Sequence, residues 1–452
     1  MSKKRKVMII SPAIEDGGMR GLGKVTLALV DGLKNSGYES YLLTGAPLAR
    51  VNKRSSSNAH KATVRRLLDH YLLEGFESKA LCNSKPKLLK ILLRDLFRVL
   101  VLGKAGEMPY ERAILTQHQP DSLCQLKNLD VLVNFALIYK INRILPKRLT
   151  AMIVFSLANT LGVDTIITAS PFPLKKPFIF HKDIKVIQYV HDIMPLNIME
   201  TVPKSSERFS KDITICLNNS DLIITSSLNA KDKLQSLDPS CNPEVVYLPI
   251  VKPILKNSAD STGLLAQHNI KKGQYILSLS TLEERKNIKR LIEAYSLIAS
   301  QTSQKLVIVG GPGYGYEDIK KAYLSLNKKI ADKIVFTSYI SEPDKWVLLE
   351  NCSNLVHPAI DEGLGIPVIE ALLVKVPVVS TRLRSIEEIA PAGCVTFIED
   401  PYDIHDIGSK TMLGINSKKN RRQSLESGSE LLSDVFSNIN FTKRLKKVIS
   451  SL

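Results

Sequence analysis

The part of the sequence that most constrains the fold runs over residues 361–381 and reads DEGLGIPVIEALLVKVPVVST. Gly363 and Gly365 predict a tight loop, because glycine adopts backbone angles that other residues avoid. Pro367 suits the first turn of a helix, where its missing N–H group would be unpaired anyway. The apolar spacing predicts that helix over residues 368–374. Backbone N–H groups at such a helix start favour an anion, so this stretch is typical of an α/β fold with a ligand site.

Two carboxylates flank this helix start. Glu362 precedes it and Glu370 lies within it, with seven residues between them. Carboxylates accept hydrogen bonds from hydroxyl groups, so the pair suits a sugar or a ribose beside an anion. The alternative is structural, since Gly-x-Pro before an apolar helix is common and a glutamate in a first turn often offsets the helix dipole. The two acids, the two glycines and the proline in one order are more specific than any of them alone.

The composition excludes several other classes of protein. With 452 residues, of which 44% are hydrophobic, the chain can bury the cores of two large α/β domains. The six cysteines are scattered and form no C-x-x-C pair, which gives no support to a metal site or a disulfide framework and favours a reducing compartment. No segment offers ~18 uninterrupted apolar residues. We therefore expect no transmembrane helix and a cytoplasmic protein, either free or peripheral on the inner face of the cytoplasmic membrane.

The net charge of +18 favours an anionic partner, which could be nucleic acid, anionic lipid or a phosphorylated substrate. A nucleic-acid-binding module would show aromatic residues interleaved on basic strands, or a recognition helix. The sequence has neither pattern, so we expect no nucleic-acid partner.

Residues 48–150 interrupt the alternation of strands and helices and predict a helical insertion. Within them, residues 87–102 have an amphipathic pattern with Lys90, Arg94 and Arg98 on one face. A basic amphipathic helix can lie on an anionic membrane. The alternative is an ordinary core-facing helix with a solvated basic edge.

The first domain opens with a strand, a glycine-rich loop, a helix and a second strand over residues 6–44, which is typical of a doubly wound domain. It is not a dinucleotide fingerprint, because the glycine spacing is wrong and no acid closes the second strand. His191 follows a strand predicted over residues 185–190. Open α/β sheets bind ligands at that end of their strands, although a histidine there can also be a loop or capping residue.

The second domain follows a polar, proline-bearing segment over residues 249–262, which predicts the domain boundary. Its first strand, predicted over residues 275–280, leads to Arg285 and Lys286 at the start of a helix. Two cations at a helix N-terminus suit a diphosphate, which gains from charge and from N–H donors. The alternative is a solvated basic turn.

Together these segments resemble the retaining glycosyltransferases of family 4, and in particular their mannosyltransferase-type members. The segments that carry the resemblance occur in the family's order: the first glycine loop, His191-Asp192, Arg285-Lys286-Asn287, and Glu362 to Glu370. They span nearly the whole chain apart from the insertion. Leu364 stands where the family usually has an aromatic residue, and Lys375 where it usually has glycine.

The resemblance implies the GT-B fold, an α/β architecture of two Rossmann-like doubly wound domains facing a cleft, with the helical insertion in the first. It implies an acceptor domain over residues 1–255 and a nucleotide-sugar donor domain over residues 256–430. A C-terminal helix over residues 431–452 would return to brace the first domain.

The resemblance also implies roles for the site residues. Lys286, with Arg285 beside it, would grip the donor diphosphate. Glu362 would contact the donor sugar and Glu370 the ribose hydroxyls. His191 would polarise or orient the donor. The remaining expected contacts are with backbone: Gly363, Leu364, Gly365 and Ile366 at the donor, and Gly21 and Gly23 at the donor phosphate or the acceptor.

The predicted function is transfer of a hexose from a nucleoside diphosphate sugar to an acceptor hydroxyl, with retention of configuration and without a metal or a cofactor. GDP-mannose is favoured over a UDP-hexose. A glycan or polyprenyl-diphosphate-linked acceptor in cell-surface polysaccharide biosynthesis is expected. The alternatives are a nucleotide-sugar epimerase of the same fold, a non-catalytic basic protein that binds nucleic acid or membrane, and a silent relative that acts in assembly.

Overall fold

The structure is a computed structural model that describes residues 4–11, 22–44, 128–134, 147–175, 183–193, 203–253, 259–415, 417 and 420–452. Most of the predicted insertion, including the amphipathic pattern over residues 87–102, lies outside these residues, and so does Gly21. Within the described ranges, no helix has both the length and the apolar character that crossing a bilayer requires.

The chain divides into two compact units. The first comprises Met1–Ser226, Lys231–Leu248 and Phe441–Leu452, and the second comprises Ser227–Ala230 and Pro249–Asn440. The units thus change after Leu248, whereas the sequence predicted a boundary after residue 255. The backbone N–H of Ile250 donates to the carbonyl of Phe436 at 2.9 Å, which joins the start of the linker to the second unit.

The first unit contains a parallel sheet of seven strands in the order β3-β2-β1-β4-β5-β6-β7. The strands are β1 (Lys6–Ile10), β2 (Glu39–Thr44), β3 (Val131–Asn134), β4 (Thr165–Thr168), β5 (Lys185–Val190), β6 (Leu222–Thr225) and β7 (Glu244–Val245). The chain runs outward from β1 to β3 on one side and from β4 to β7 on the other. Unbroken apolar runs such as Val7 to Ile10 are fully buried, as expected for strands covered on both faces.

Four helices connect these strands in the described part of the chain: α1 (Leu22–Asn35), α2 (Lys147–Leu161), α3 (Pro203–Asn219) and α4 (Leu228–Leu237). The apolar stripe of α1 packs into a core with β1 and β2, through Val25, Leu29 and Leu33 among others.

The second unit contains a parallel sheet of six strands in the order β10-β9-β8-β11-β12-β13. The strands are β8 (Tyr275–Leu279), β9 (Lys305–Val309), β10 (Ile334–Ser338), β11 (Asn354–His357), β12 (Val378–Thr381) and β13 (Val395–Ile398). The two doubly wound sheets confirm the predicted α/β class with two Rossmann-like units.

The helices of the second unit are α5 (Ala259–Gln267), α6 (Ile288–Ile298), α7 (Tyr316–Leu324), α8 (Lys328–Ala331), α9 (Glu342–Asn351), α10 (Ile366–Leu373), α11 (Arg384–Glu387), α12 (Ile404–Ile415) and α13 (Arg422–Val435). A short 3-10 turn, Glu284–Lys286, precedes α6.

The last helix, α14 (Asn438–Ser450), packs against α1 in the first unit from Phe441 onward. Gly32 makes the close approach of the two helices possible. A Cβ atom at Gly32 would lie 2.7 Å from Phe441 Cε1 and 2.9 Å from Leu445 Cδ2. Both of these side chains are buried and cannot move into solvent.

We expect Gly32→Val to lower the free energy of unfolding by about 2 kcal/mol, because overpacking a filled core costs on the order of 1–3 kcal/mol. Gly263→Val is the matched control. Gly263 also lies in a helix, but nothing stands within 4 Å of the position that a Cβ atom would take there, so this variant should keep wild-type stability. Denaturant unfolding measures both, and equal stability of the two variants would contradict the packing argument.

Candidate functional site

The second sheet has a topological switch point between β8 and β11. The chain moves from β8 through β9 to β10 on one side, and from β11 through β12 to β13 on the other. Ligands of open α/β sheets bind beyond the carboxyl ends of the strands at such a point. The loop after β8 carries Arg285 and Lys286, and the loop after β11 carries Glu362. Arg285, Lys286 and Glu362, which the sequence singled out, therefore meet at the expected edge.

These two loops are tied to each other by hydrogen bonds. The N–H of Ile360 donates to the carbonyl of Arg285 at 2.8 Å. Asn287 adopts the left-handed conformation (φ 60°), and its side-chain amide donates to the carbonyls of Pro358 at 3.1 Å and Pro401 at 2.6 Å. The turn that presents Arg285 and Lys286 is thereby fixed against the loop that presents Glu362.

The carboxylate of Glu362 lies in a cluster of donors. It forms a salt bridge with Lys286, lies 3.8 Å from Arg285 Nη1 and is 3.1 Å from His357 Nε2. The side chains of Glu362 and Lys286 are only 11% and 8% exposed. Burial alone would raise the pKa of Glu362, but Lys286, His357 and Arg285 together hold it well below its ordinary value. The site therefore contains two cations and the ionised carboxylate of Glu362, and Arg285 Nε also donates to Glu283 Oε2 at 2.9 Å.

His357 is a member of this cluster that the sequence did not single out, since the end of a strand suggested only a structural role. Burial lowers the pKa of His357 below its ordinary value, although the contact with Glu362 opposes the effect. Because the ionised carboxylate of Glu362 can only accept, the neutral imidazole must carry its proton on Nε2 and donate it. His357 thus orients Glu362 without adding a charge.

The helix that follows this loop begins at a glycine in the left-handed region. Gly365 caps α10 with φ 80°, and a Cβ atom there would lie 2.4 Å from Ile386 Cδ1. Pro367 has no N–H, and the N–H of Val368 donates to the carbonyl of Gly365 at 2.9 Å. The backbone N–H groups at this helix start therefore belong to residues 363–366. Leu364, one of these residues, is buried.

Glu370 lies in a second cluster and not in that of Glu362. Its carboxylate forms a salt bridge with Lys345, which also contacts Glu342 Oε1 at 2.6 Å. Glu370 is 3% exposed. Burial alone would lower the pKa of Lys345, but Glu370 and Glu342 raise it above its ordinary value. The two acids of the sequence signature therefore have separate cationic partners, Lys286 and Lys345.

The glycine-rich loop over residues 310–315 supports the loop after β8. The N–H of Leu282 donates to the carbonyl of Gly311 at 2.9 Å, and the carbonyl of Leu282 accepts from the N–H of Gly313 at 3.1 Å. The N–H of Glu284 donates to the carbonyl of Tyr314 at 3.0 Å. A Cβ atom at Gly310 would lie 1.7 Å from the carbonyl oxygen of Ser280. These glycines are needed for close backbone contact with the loop that carries Arg285 and Lys286.

A short segment that clusters with the second unit holds the backbone of the Glu362 loop. Ser227 Oγ donates to the carbonyl of Gly363 at 2.8 Å, and Asn229 Nδ2 donates to the carbonyl of Glu362 at 3.1 Å. The sequence did not identify either residue, because Ser227 lies where a helix cap is usual and the helical pattern predicted that Asn229 faces solvent, whereas it is buried.

His191 belongs to the first unit and directly follows β5. Its carbonyl accepts a hydrogen bond from Ser226 Oγ at 2.9 Å, and its ring stacks on Tyr189 with 6.3 Å between centroids. Gly23 is buried in α1. Among the described residues, no three His, Cys, Asp or Glu side chains are grouped so that they could hold a metal ion.

We expect His357→Gln to flatten the pH dependence of stability between pH 7.5 and 5.5. Because the folded-state pKa lies below the unfolded value of about 6.5, the unfolded chain takes up a proton first as the pH falls. The free energy of unfolding of the wild type should fall by on the order of 1 kcal/mol between pH 7.5 and 5.5. The limiting slope is about 1.4 kcal/mol per pH unit. Glutamine still donates an N–H to Glu362 but does not titrate.

The matched control for this experiment is His405→Gln, at an exposed histidine of the same unit. Urea unfolding at the two pH values measures the difference. A wild-type slope in His357→Gln would show that His357 is not held neutral in the fold.

Comparison with known proteins finds a family model that matches much of the second unit. Residues 262–430 match the family model for glycosyl transferases group 1. O-antigen chain mannosyltransferase B of Escherichia coli is 25% identical over 241 residues, which cover 51% of this chain and 61% of that protein. Serotype-specific mannosyltransferase WbdA of Escherichia coli is 29% identical over 137 residues, 30% of this chain and 16% of that protein. The chain thus spans less than two thirds of the length of these curated relatives.

Solved structures agree on the fold. Sucrose-phosphate synthase from Thermosynechococcus elongatus superposes with a TM-score of 0.65 at 14% identity, over 99% of both chains. Anabaena HepE in complex with UDP and glucose gives 0.63 at 14% identity, over 99% of this chain and 100% of HepE. The predicted GT-B fold is confirmed. The family model and the mannosyltransferase relatives agree, and residues 262–430 are similar to the group 1 glycosyltransferases.

Proposed function

We propose that the chain transfers a hexose from a nucleoside diphosphate sugar to an acceptor hydroxyl, with retention of anomeric configuration. The observation that carries the proposal is the grouping of Arg285 and Lys286 around Glu362 at the switch point of the second sheet. Two fixed cations suit the charge that develops on a leaving diphosphate, and a carboxylate beside them suits the hydroxyls of the sugar.

In the proposed reaction, the bond between C1 of the sugar and the diphosphate oxygen breaks while the acceptor oxygen bonds to C1 on the same face. The acceptor proton passes to the departing phosphate oxygen, so no protein group is assigned as a base. Lys286 and Arg285 stabilise the diphosphate as its charge grows. Because Glu362 already holds Lys286 in position, little reorganisation is needed at the moment of reaction.

The other residues of the second unit complete the proposed donor site. The amides of Gly363, Leu364, Gly365 and Ile366 would contact the phosphate or the sugar from the start of α10. Glu370, four residues into the helix, would accept hydrogen bonds from the ribose hydroxyls. The charge of the diphosphate is met by Arg285, Lys286 and these amides, so the proposal requires neither a metal nor a cofactor.

The names of the relatives, which are mannosyltransferases, support mannose as the transferred sugar, and we propose GDP-mannose as its donor. They also support a role in the synthesis of cell-surface polysaccharide, with a glycan or a polyprenyl-diphosphate-linked chain as the acceptor. An acceptor of the second kind is anchored in a membrane by its lipid. We infer that the chain works as a peripheral protein on the inner face of the cytoplasmic membrane, and its net charge of +18 supports contact with that anionic surface.

A thermal-shift and calorimetric panel of GDP, UDP, ADP, GDP-mannose and UDP-glucose tests the proposal. We expect GDP and GDP-mannose to stabilise the protein, by about 2.7 kcal/mol when the ligand is present at 100 times its Kd. Lys286→Met should weaken nucleotide binding by about 10- to 100-fold, since hydrogen bonds to charged groups contribute roughly 1.5–3 kcal/mol.

The matched control for this panel is Lys289→Met, which removes a lysine three residues further on whose side chain is 53% exposed. It should bind as wild type does. Stabilisation by none of the five compounds would sink the proposal, and turnover of the donor without any acceptor would favour an epimerase.

His191→Ala separates binding from transfer. Since the diphosphate ligands Arg285 and Lys286 belong to the other unit, the Kd for GDP should stay at its wild-type value. If His191 polarises the reacting donor, kcat should fall by roughly 100-fold, the lower end of the range for a positioned acid or base. A radiolabelled-sugar transfer assay measures kcat, with His405→Ala as the control. Unchanged turnover in His191→Ala would remove His191 from the proposed site.

A further inference from the structure

Lys345 occupies a costly position. It lies in the first turn of α9, where the helix dipole disfavours a positive charge, and its side chain is only 16% exposed. Burying a lysine and a carboxylate together gives little or no net stability, because both charges must be removed from water. An apolar pair in place of Lys345 and Glu370 would fill the same space at lower cost. Stability alone therefore does not explain the presence of a lysine at this position.

The partners of Lys345 give its local chemistry. The ammonium group bridges the buried carboxylate of Glu370 and the half-exposed carboxylate of Glu342, and it lies 5.2 Å from the centre of the Trp346 ring. Trp346 Nε1 in turn donates to Glu342 Oε1 at 3.2 Å. Glu342 and Trp346 thus hold the lysine in place, and the lysine holds Glu370.

The fold brings this cluster to the edge of the sheet where the donor site lies. Helix α9 follows β10 and helix α10 follows β11, so both helices begin at the carboxyl edge of the parallel sheet, and they contact each other. Glu370 lies on α10, whose start is formed by the loop of Glu362. The two ion clusters are therefore successive parts of one edge, with Lys286 and Glu362 first and Lys345 and Glu370 beyond them.

We propose that Lys345 is a positioning residue for the donor's ribose, which it acts on by keeping the carboxylate of Glu370 ionised and oriented toward the 2′- and 3′-hydroxyls. This inference rests on the proposed function. A buried carboxylate without a cation tends to take up a proton. In that form one of its oxygens becomes a donor and it accepts the two hydroxyls less well. Lys345 prevents this without contacting the nucleotide itself.

The test compares the affinity for the nucleoside diphosphate that binds in the panel, GDP or UDP, with the affinity for its 2′,3′-dideoxy form. Wild type should prefer the ribose form by about tenfold or more, because hydrogen bonds to a charged acceptor are involved. Lys345→Met should bring this ratio close to one while the affinity for inorganic diphosphate stays unchanged. Lys345→Arg keeps the charge and should keep most of the ratio. Isothermal titration calorimetry measures all of these.

The matched control is Lys321→Met. Lys321 also pairs with an acid three residues before it in a helix, Asp318 at 3.1 Å, but its side chain is 77% exposed. It should retain the wild-type ratio. If Lys345→Met does not fold, Lys345→Gln is measured instead, and its ratio should fall below that of wild type because an amide gives a weaker, uncharged hydrogen bond.

Three outcomes would overturn the inference. One is an unchanged ratio in the folded Lys345 variant. Another is an equal loss of affinity for both nucleotide forms and for diphosphate. The third is a changed preference between GDP and UDP while the ratio of affinities for the ribose and dideoxy forms stays unchanged. That result would mean that Lys345 contributes to recognition of the base. If neither GDP nor UDP binds to wild type, the proposed function itself fails, so the two failures are distinguishable.

Discussion

A single buried carboxylate, that of Glu362, joins the two loops at the switch point of the second sheet. It contacts Lys286 from the loop after β8 and His357 at the end of β11, with Arg285 beside them. Removing one member would leave an uncompensated buried charge, which costs about 3–5 kcal/mol. The backbone of both loops is constrained, because the loop after β8 and the loop after β11 must bring Lys286 and Glu362 into contact. Several features of the second unit that are far apart in the sequence meet this constraint.

The left-handed residues and the glycines show how the constraint is met. Asn287 takes φ 60° so that its amide can reach two carbonyls of other loops, and Gly365 takes φ 80° so that α10 can start beside Ile386. Gly310 lies so close to the carbonyl of Ser280 that no side chain fits. A non-glycine residue in a left-handed conformation costs on the order of 1 kcal/mol. The hydrogen bonds of Asn287 offset this cost, because they fix the turn that carries Arg285 and Lys286.

The local features of the fold could be predicted from the sequence, and the family resemblance predicted its two Rossmann-like units, but the partners of some individual side chains could not be predicted. The strand over residues 185–190 and the glycine loop before α10 follow from apolar runs and from glycine and proline chemistry. The helix after that loop begins at Ile366 and ends at Leu373, because Lys375 (φ 59°) turns the chain before Pro377 is reached. Lys345 was missed because its buried partner Glu370 lies on the next helix, and the contact between those helices is not encoded in the periodicity along the chain. His357 is only five residues from Glu362, but its place at the end of a strand favoured a structural role.

The two clusters differ in charge, and this difference bears on the orientation of the proposed donor. The first cluster holds two cations, Arg285 and Lys286, with Glu362 and Glu283 as their acidic partners, whereas Lys345, Glu342 and Glu370 sum to one negative charge. A nucleoside diphosphate sugar has its anionic phosphates at one place and uncharged hydroxyls on its ribose at another. In the proposed site, the two cations of the first cluster would attract the phosphates, and the carboxylates of the second would accept hydrogen bonds from the hydroxyls. A donor bound in the reverse sense would place its phosphates beside Glu370 and Glu342, so the charges of the two clusters favour the proposed orientation.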